Sequence, residues 1–178
     1  MKKLIASLLT VATVASMASM SVFAEAKEYN ATISGDLYTD TDKALAGNEI
    51  NPDKTIYINL NGVAFTDGTT TFDGADIAAK LNDEDIFKVK TDKGDDDTKM
   101  IKKISVTEKN ITGTADREVV VKIELNDDTT DKEFKINPSV TFTAKEAVTA
   151  GSATVNKDDK LTVALGKVYV KNGEVVGD

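Results

Sequence analysis

The stretch Glu118-Val119-Val120-Val121-Lys122-Ile123-Glu124-Leu125 decides the fold class. Its side chains alternate with a period of two, which is the pattern of a β-strand with one buried face and one solvated face. Apolar residues share one face (Val119, Val121, Ile123 and Leu125) and charged residues the other (Glu118, Lys122 and Glu124). The β-branched residues among them suit the pleated surface of a sheet. The pattern predicts a strand over residues 118–125.

The same alternation recurs along the rest of the chain. Residues 55–60 place Ile56, Ile58 and Leu60 on one face. From residue 134 to residue 144 the parity continues through Pro138, which cannot donate a ladder hydrogen bond and therefore predicts a bend, a bulge or a sheet edge. Further strands are predicted over residues 29–34, 86–90, 103–107, 161–165 and 168–170.

Turn-forming residues separate these strands. Asn61-Gly62 and Asn172-Gly173 predict tight hairpin turns. Polar clusters predict loops at residues 67–68, 92–97, 126–131 and 156–159. The one helical pattern covers residues 74–81, where Ile77 and Leu81 share a face and Asp73 precedes the first turn as a capping residue. A helix of about two turns would serve as a crossover between strands.

Taken together, the pattern predicts a mainly β protein: an antiparallel β-sandwich, Ig-like or related, with one short helix near residues 74–81. Two arrangements are open at this point. The chain forms either one large sandwich or two small β subdomains, and in the second case the boundary falls within residues 91–98, a segment rich in Asp and containing one Gly.

Residues 1–24 have the three parts of a secretory signal peptide. Lys2 and Lys3 give a basic start, residues 4–20 are uncharged and mostly apolar, and Ala24 ends a small-residue exit. The alternative is a membrane anchor, but the apolar run is diluted by Ser, Thr and Ala and is short for a span of about 20 residues. We therefore expect cleavage after Ala24 and a secreted or cell-surface protein.

Composition excludes several classes of function. The formal net charge of −8 becomes about −10 once Lys2 and Lys3 are removed, which argues against nucleic acid and against anionic membrane surfaces as partners. The sequence has no Cys, His or Trp, so disulfides, thiolate chemistry and imidazole bases are absent. Carboxylates are the only remaining acid–base groups and fit no catalytic motif. We expect no enzymatic activity and no catalytic residue.

Acidic clusters are the candidate metal ligands. Three adjacent groups supply oxygen ligands of the kind that calcium prefers: Asp36, Asp40 and Asp42; Asp95, Asp96 and Asp97; and Asp127, Asp128 and Asp131. None fits the spacing of an EF-hand loop, and acidic turns are most often solvated turns. Calcium is therefore a candidate ion, and no other cofactor is expected.

The mature chain resembles the immunoglobulin-like and related β-sandwich modules of bacterial surface-layer, adhesin and pilus-type proteins. The resemblance rests on the turn and strand of residues 51–58, on the strand of residues 119–125 and on residues 134–142. It implies a noncatalytic extracellular structural or interaction module of a cell-surface assembly. Its partners would be other surface proteins, cell-wall polymer or further copies of itself.

The alternative is a secreted module that binds calcium or carbohydrate. Carbohydrate binding would need aromatic rings on an exposed face. With Trp absent, the candidates besides Phe are Tyr29, Tyr38, Tyr57 and Tyr169. This alternative therefore predicts that at least two of these rings are exposed together near acidic loops.

Overall fold

The computed structural model describes residues 25–33, 37–38, 55–94, 101–110, 117–126, 134–136, 138–164, 168–171 and 174–177. The described part of the protein is mostly β, and its sheets form a β-sandwich-like fold. Within the described part of the chain, no helix is long and apolar enough to cross a bilayer.

The described strands are β1 (Glu28–Ile33), β2 (Leu37–Tyr38), β3 (Thr55–Asn59), β4 (Val63–Thr66), β5 (Thr71–Asp73), β6 (Phe87–Asp92), β7 (Ile101–Lys109), β8 (Glu118–Leu125), β9 (Phe134–Ile136), β10 (Ser139–Ala144), β11 (Val148–Ala150), β12 (Ala153–Val155), β13 (Lys160–Ala164), β14 (Val168–Lys171) and β15 (Glu174–Gly177). The one α-helix in these ranges is α1 (Ala78–Leu81).

Two large sheets make up the sandwich. The six-stranded sheet has the order β5-β4-β1-β13-β10-β6, and the four-stranded sheet has the order β2-β3-β8-β7. Neighbouring strands are antiparallel except β1 and β13, which run parallel. Two smaller sheets, β15-β14-β9 and β11-β12, complete the described strands.

The apolar faces of both large sheets belong to one hydrophobic core. On β8, Val119, Val121, Ile123 and Leu125 are all at most 4% exposed, which confirms the predicted strand and its inward face. The six-stranded sheet contributes Phe65, Phe142 and Leu161, each with no exposed surface, to the same cluster. Of the candidate domain boundary, residues 91–94 are described and include the end of β6, whereas residues 95–98 lie outside the described part of the structure.

The outer face of β8 is also partly covered. Val120, which points away from the shared core, has no exposed surface and forms a small second cluster with Tyr57. The ammonium group of Lys109 lies 4.8 Å from the centre of the Tyr57 ring. The aliphatic stem of such a lysine covers apolar surface while its charge stays in water.

The helical segment is shorter than the sequence pattern predicts. Gly74–Asp76 forms a 3₁₀ turn, Ile77 leaves helical geometry at φ −132°, and α1 then runs for only four residues. Asp73 makes no side-chain capping hydrogen bond, so its predicted capping role is wrong. Ile77 and Leu81 are both buried, as their shared face requires. The segment connects β5 to β6 at opposite edges of the six-stranded sheet, which is the predicted crossover.

Asn61-Gly62 does not form the predicted hairpin. It lies in a 3₁₀ turn, Leu60–Gly62, in which the Asn59 side chain accepts a hydrogen bond from the Asn61 N–H at 2.9 Å. The flanking strands, β3 and β4, belong to different sheets. The turn therefore carries the chain across the sandwich. By contrast, β14 and β15 pair antiparallel on either side of residues 172–173, as the second Asn-Gly signal predicts.

Pro138 marks a change of sheet. It separates β9, in the three-stranded sheet, from β10, in the six-stranded sheet, so the predicted interruption of the strand is confirmed. Beyond it, Val140, Phe142 and Ala144 are buried in alternation with half-buried Ser and Thr. The side chains of residues 134–136 lie outside the described part of the structure.

Gly74 is required where two short turns meet. A β-carbon at this position would overlap the backbone carbonyl of Leu60 and would lie 2.9 Å from the carbonyl oxygen of Val63. Backbone atoms cannot swing aside as a flexible side chain can. The glycine therefore allows the Leu60–Gly62 turn and the Gly74–Asp76 turn to pack together.

We predict that Gly74→Ala destabilises the protein by about 3 kcal/mol or more, because the new methyl group must displace backbone. Gly68→Ala is the matched control: Gly68 also needs special geometry, with φ of +87°, but its β-carbon would meet open space. That control is expected to cost about 1 kcal/mol through backbone strain alone. Urea denaturation measures both variants, and equal losses would contradict the packing argument.

Candidate interaction surface

The candidate calcium ligands fall outside the described part of the structure. This applies to Asp36, Asp40 and Asp42, to Asp95, Asp96 and Asp97, and to Asp127, Asp128 and Asp131. Among the described residues, no group of three or more His, Cys, Asp or Glu side chains is placed to hold a metal ion. A calcium site at the acidic clusters stays a prediction.

Two of the four candidate sugar-stacking rings are buried. Tyr29 is 1% exposed and packs edge-on against Phe72, with ring centroids 5.2 Å apart, and Tyr57 is 5% exposed under Lys109. Neither ring can stack on a sugar in this fold. The side chains of Tyr38 and Tyr169 lie outside the described residues.

An apolar cavity between the sheets is too small to hold a ligand. It measures about 10 Å³ and is lined by Ile58, Ile104 and Val121 on one side and by Val140 and Val163 on the other. That volume is room for about one water molecule, and its lining offers little to hydrogen-bond it. The cavity is a packing gap in the core, and its apolar side chains offer no group that could hydrogen-bond to or react with a ligand.

The outer face of the six-stranded sheet carries small polar side chains. One cross-strand row runs through Thr71, Thr66, Asn30, Thr162 and Thr141. Hydroxyl groups in this row bond to each other: Thr71 to Thr66 at 3.0 Å, and Thr141 with Thr162 at 3.1 Å. The side chains of this row are therefore short, polar and uncharged, and the next residue across from Thr141 is Lys90 on β6.

Lysines line the edge of the sandwich where the row ends. β6 is the last strand of the six-stranded sheet, β7 is the last strand of the four-stranded sheet, and the two strands contact each other. Their exposed lysines, here called the lysine band, are Lys88, Lys90, Lys93, Lys102 and Lys103. The ammonium group of Lys93 donates to the carbonyl oxygen of Lys102 at 3.2 Å, which joins the two edges.

Asp159 ties the first described residues to the sheet. It is 2% exposed, and its two carboxylate oxygens accept the backbone N–H groups of Lys27 and Asn156, each at 2.8 Å. A buried carboxylate is tolerated when its oxygens are paired in this way. Sequence reasoning placed Asp159 in a polar loop only. The spacing Asn156-x-x-Asp159, typical of a side-chain-stabilised turn, could have identified its role.

Asp67 and Lys27 form a second link near the same strand. The Asp67 carboxylate accepts the N–H groups of Thr69 at 2.8 Å and of Thr70 at 2.6 Å, and it lies 3.1 Å from the Lys27 ammonium group. The two backbone hydrogen bonds, and then Lys27, lower the pKa of Asp67 from 3.8 to about 2. The hydrogen bond between Lys27 and Asp67 in turn raises the pKa of Lys27. Burial raises the pKa of the neighbouring Tyr29.

The fold defines the class of β-sandwich-like proteins. Comparisons with models of protein families, with curated proteins and with solved structures each gave no match. The resemblance to Ig-like surface modules therefore rests on the sequence pattern.

We predict that Asp67 contributes stability that is lost at acid pH. Because folding lowers its pKa, the ionised form favours the folded state: the contribution is fully present above about pH 4 and disappears as the pH falls toward 2. Asp67→Asn keeps an oxygen for the Thr69 and Thr70 N–H groups but removes the charge opposite Lys27. The difference in unfolding free energy between wild type and this variant should shrink between pH 4 and pH 2.

The measurement is urea denaturation from pH 2 to pH 6. Asp73→Asn is the control, since it removes one exposed carboxylate that has no ion pair among the described residues. If that variant showed the same loss of stability with the same pH dependence, the effect would belong to net charge and not to the Asp67 site.

Proposed function

We propose that this chain is a noncatalytic extracellular structural or interaction module of a bacterial cell-surface assembly, built on an Ig-like or related sandwich. The observation that carries the proposal is the use of the apolar residues of both large sheets in one shared core. Because side chains fill the interior between the two sheets, partners would bind at sheet faces, sheet edges and loop tips.

The position of β1 supports export with cleavage after Ala24. β1 begins at Glu28, and the backbone N–H of Lys27 is already bound by Asp159. Cleavage between residues 24 and 25 would leave only a short exposed segment, residues 25–27, before the first strand. The mature chain would therefore keep every described strand.

We predict that the full chain, expressed in a bacterial host, is recovered outside the cytoplasm with Glu25 as its first residue. The small residue at Ala24 is what signal peptidase cleavage requires, so Ala24→Phe should block processing. Mass spectrometry of the N-terminal peptide measures both forms. A wild-type chain that stays in the cytoplasm and retains residues 1–24 would contradict the proposal.

The calcium-binding alternative is separated by thermal melting. For a structural module with solvated acidic loops, we expect equal melting temperatures in millimolar calcium, in magnesium and in EDTA. An ion bound only to the folded state would add about 2.7 kcal/mol of stability at one hundred times its Kd and would raise the melting temperature by several degrees. A rise with calcium alone would overturn the first proposal in favour of this alternative.

The ligands of such an ion could then be located with three triple variants. Each replaces one acidic group by Asn: Asp36, Asp40 and Asp42; Asp95, Asp96 and Asp97; or Asp127, Asp128 and Asp131. The variants change the net charge equally, so the one that abolishes the calcium effect identifies the site.

A further inference from the structure

The lysine band places five exposed lysines along one edge of an acidic protein. Elsewhere in the described structure, Lys27 pairs with Asp67 at 3.1 Å, Lys122 with Glu124 at 3.4 Å and Lys160 with Glu28 at 3.0 Å. None of the five band lysines forms an ion pair within the described ranges. Two carboxylates of the described residues lie beside the band: Asp92 on β6, and Glu124 on β8 opposite Lys103. The five lysines outnumber them, so this edge is locally positive among the described residues.

Protection of sheet edges accounts for only part of the band. Lysines and bulges on edge strands prevent unwanted strand addition. Lys102 lies at such a bulge, where the pairing of β7 with β8 shifts register between Ile101 and Lys103. Lys88 and Lys90 differ, because they have the opposite parity to buried Phe87 and therefore project from the outer face of the six-stranded sheet.

Hydroxyl groups stand beside these two lysines. Lys88 is paired across the strands with Thr143, and Lys90 with Thr141, both on β10. Such directly opposed side chains lie about 5 Å apart, and along β6 the two lysines repeat at about 6.8 Å. An ammonium group next to a hydroxyl group offers hydrogen-bond donors to an anion, and lysine is a common ligand of phosphate.

We propose that the lysine band binds a linear phosphate-bearing polymer of the cell envelope. This inference rests on the proposed function and names the partner class of that module. The polymer lies along β6 and crosses the edge through Lys93 and Lys102 to Lys103. The chain carries a net charge of −8, so a polyanion is repelled on average and binds best where lysines are concentrated.

Binding of inorganic polyphosphate to the purified protein, followed by isothermal titration calorimetry at 50 mM and 150 mM NaCl, tests the proposal. The band variant is Lys88→Gln, Lys90→Gln, Lys103→Gln. The control variant is Lys27→Gln, Lys80→Gln, Lys109→Gln, which removes the same charge at exposed or half-buried sites away from β6 and from the band end of β7. We expect at least about a tenfold loss of affinity in the band variant and less than about twofold in the control.

Circular dichroism melting of both triple variants establishes that they are folded. A third variant, Lys88→Arg, Lys90→Arg, Lys103→Arg, keeps the charge and should keep the affinity, as well as the decrease in affinity with salt. Equal losses in the band and control variants, or no binding at 150 mM NaCl, would overturn the inference.

Two further arms separate the sources of the anion. Oligothymidylate that binds more tightly than polyphosphate would replace the envelope polymer by nucleic acid as the partner, and polygalacturonate that binds more tightly would replace phosphate by carboxylate. Either result overturns the proposal. If the protein is exported but does not bind polyphosphate, the inference is refuted and the proposed function is unaffected. If the protein binds polyphosphate but stays in the cytoplasm, the proposed function is refuted.

Discussion

One layer of apolar side chains, shared between two sheets, is the constraint on which the rest of the structure depends. β8 supplies its central strip, with Val119, Val121, Ile123 and Leu125 facing the six-stranded sheet. Full burial of such side chains contributes about 1.5–3 kcal/mol each, and there is no disulfide to supplement it. A one-residue slip of β8 would turn this strip to the other face, so its register also sets the register of β3 and β7.

The strands that could be predicted from sequence are the long ones with a clear period. Residues 118–125 match β8 at both ends, because eight residues of alternation cannot be mistaken for a helix. β4, β5, β11 and β12 were not predicted, since three or four residues carry too little periodicity. The parallel pairing of β1 with β13 could not be predicted either, because sequence alternation does not reveal which strands become neighbours.

Local signals failed where tertiary packing overrode them. Asn61-Gly62 has the composition of a hairpin turn, yet β3 and β4 pair with strands of different sheets, and the turn crosses from one sheet to the other. The acidic residues that the sequence suggested as calcium ligands lie outside the described part of the structure. The lysine band was missed for a different reason: Lys90 and Lys103 lie on consecutive strands, but sequence alternation does not reveal that β6 and β7 are edge strands of two different sheets that contact each other.

The parallel pairing of β1 has a consequence for the order in which the chain can fold. The contact between Lys27 and Asp159 spans 132 positions of sequence, and β1 lies between β4 and β13 in the middle of its sheet. The six-stranded sheet therefore cannot close until almost the whole polypeptide has been synthesised. Long-range pairing of this kind is slow, because the loop must be closed before its contacts form. The six-stranded sheet of a nascent chain with this topology stays incomplete until late in synthesis, so its early strands stay in a form that can still be threaded through a narrow channel.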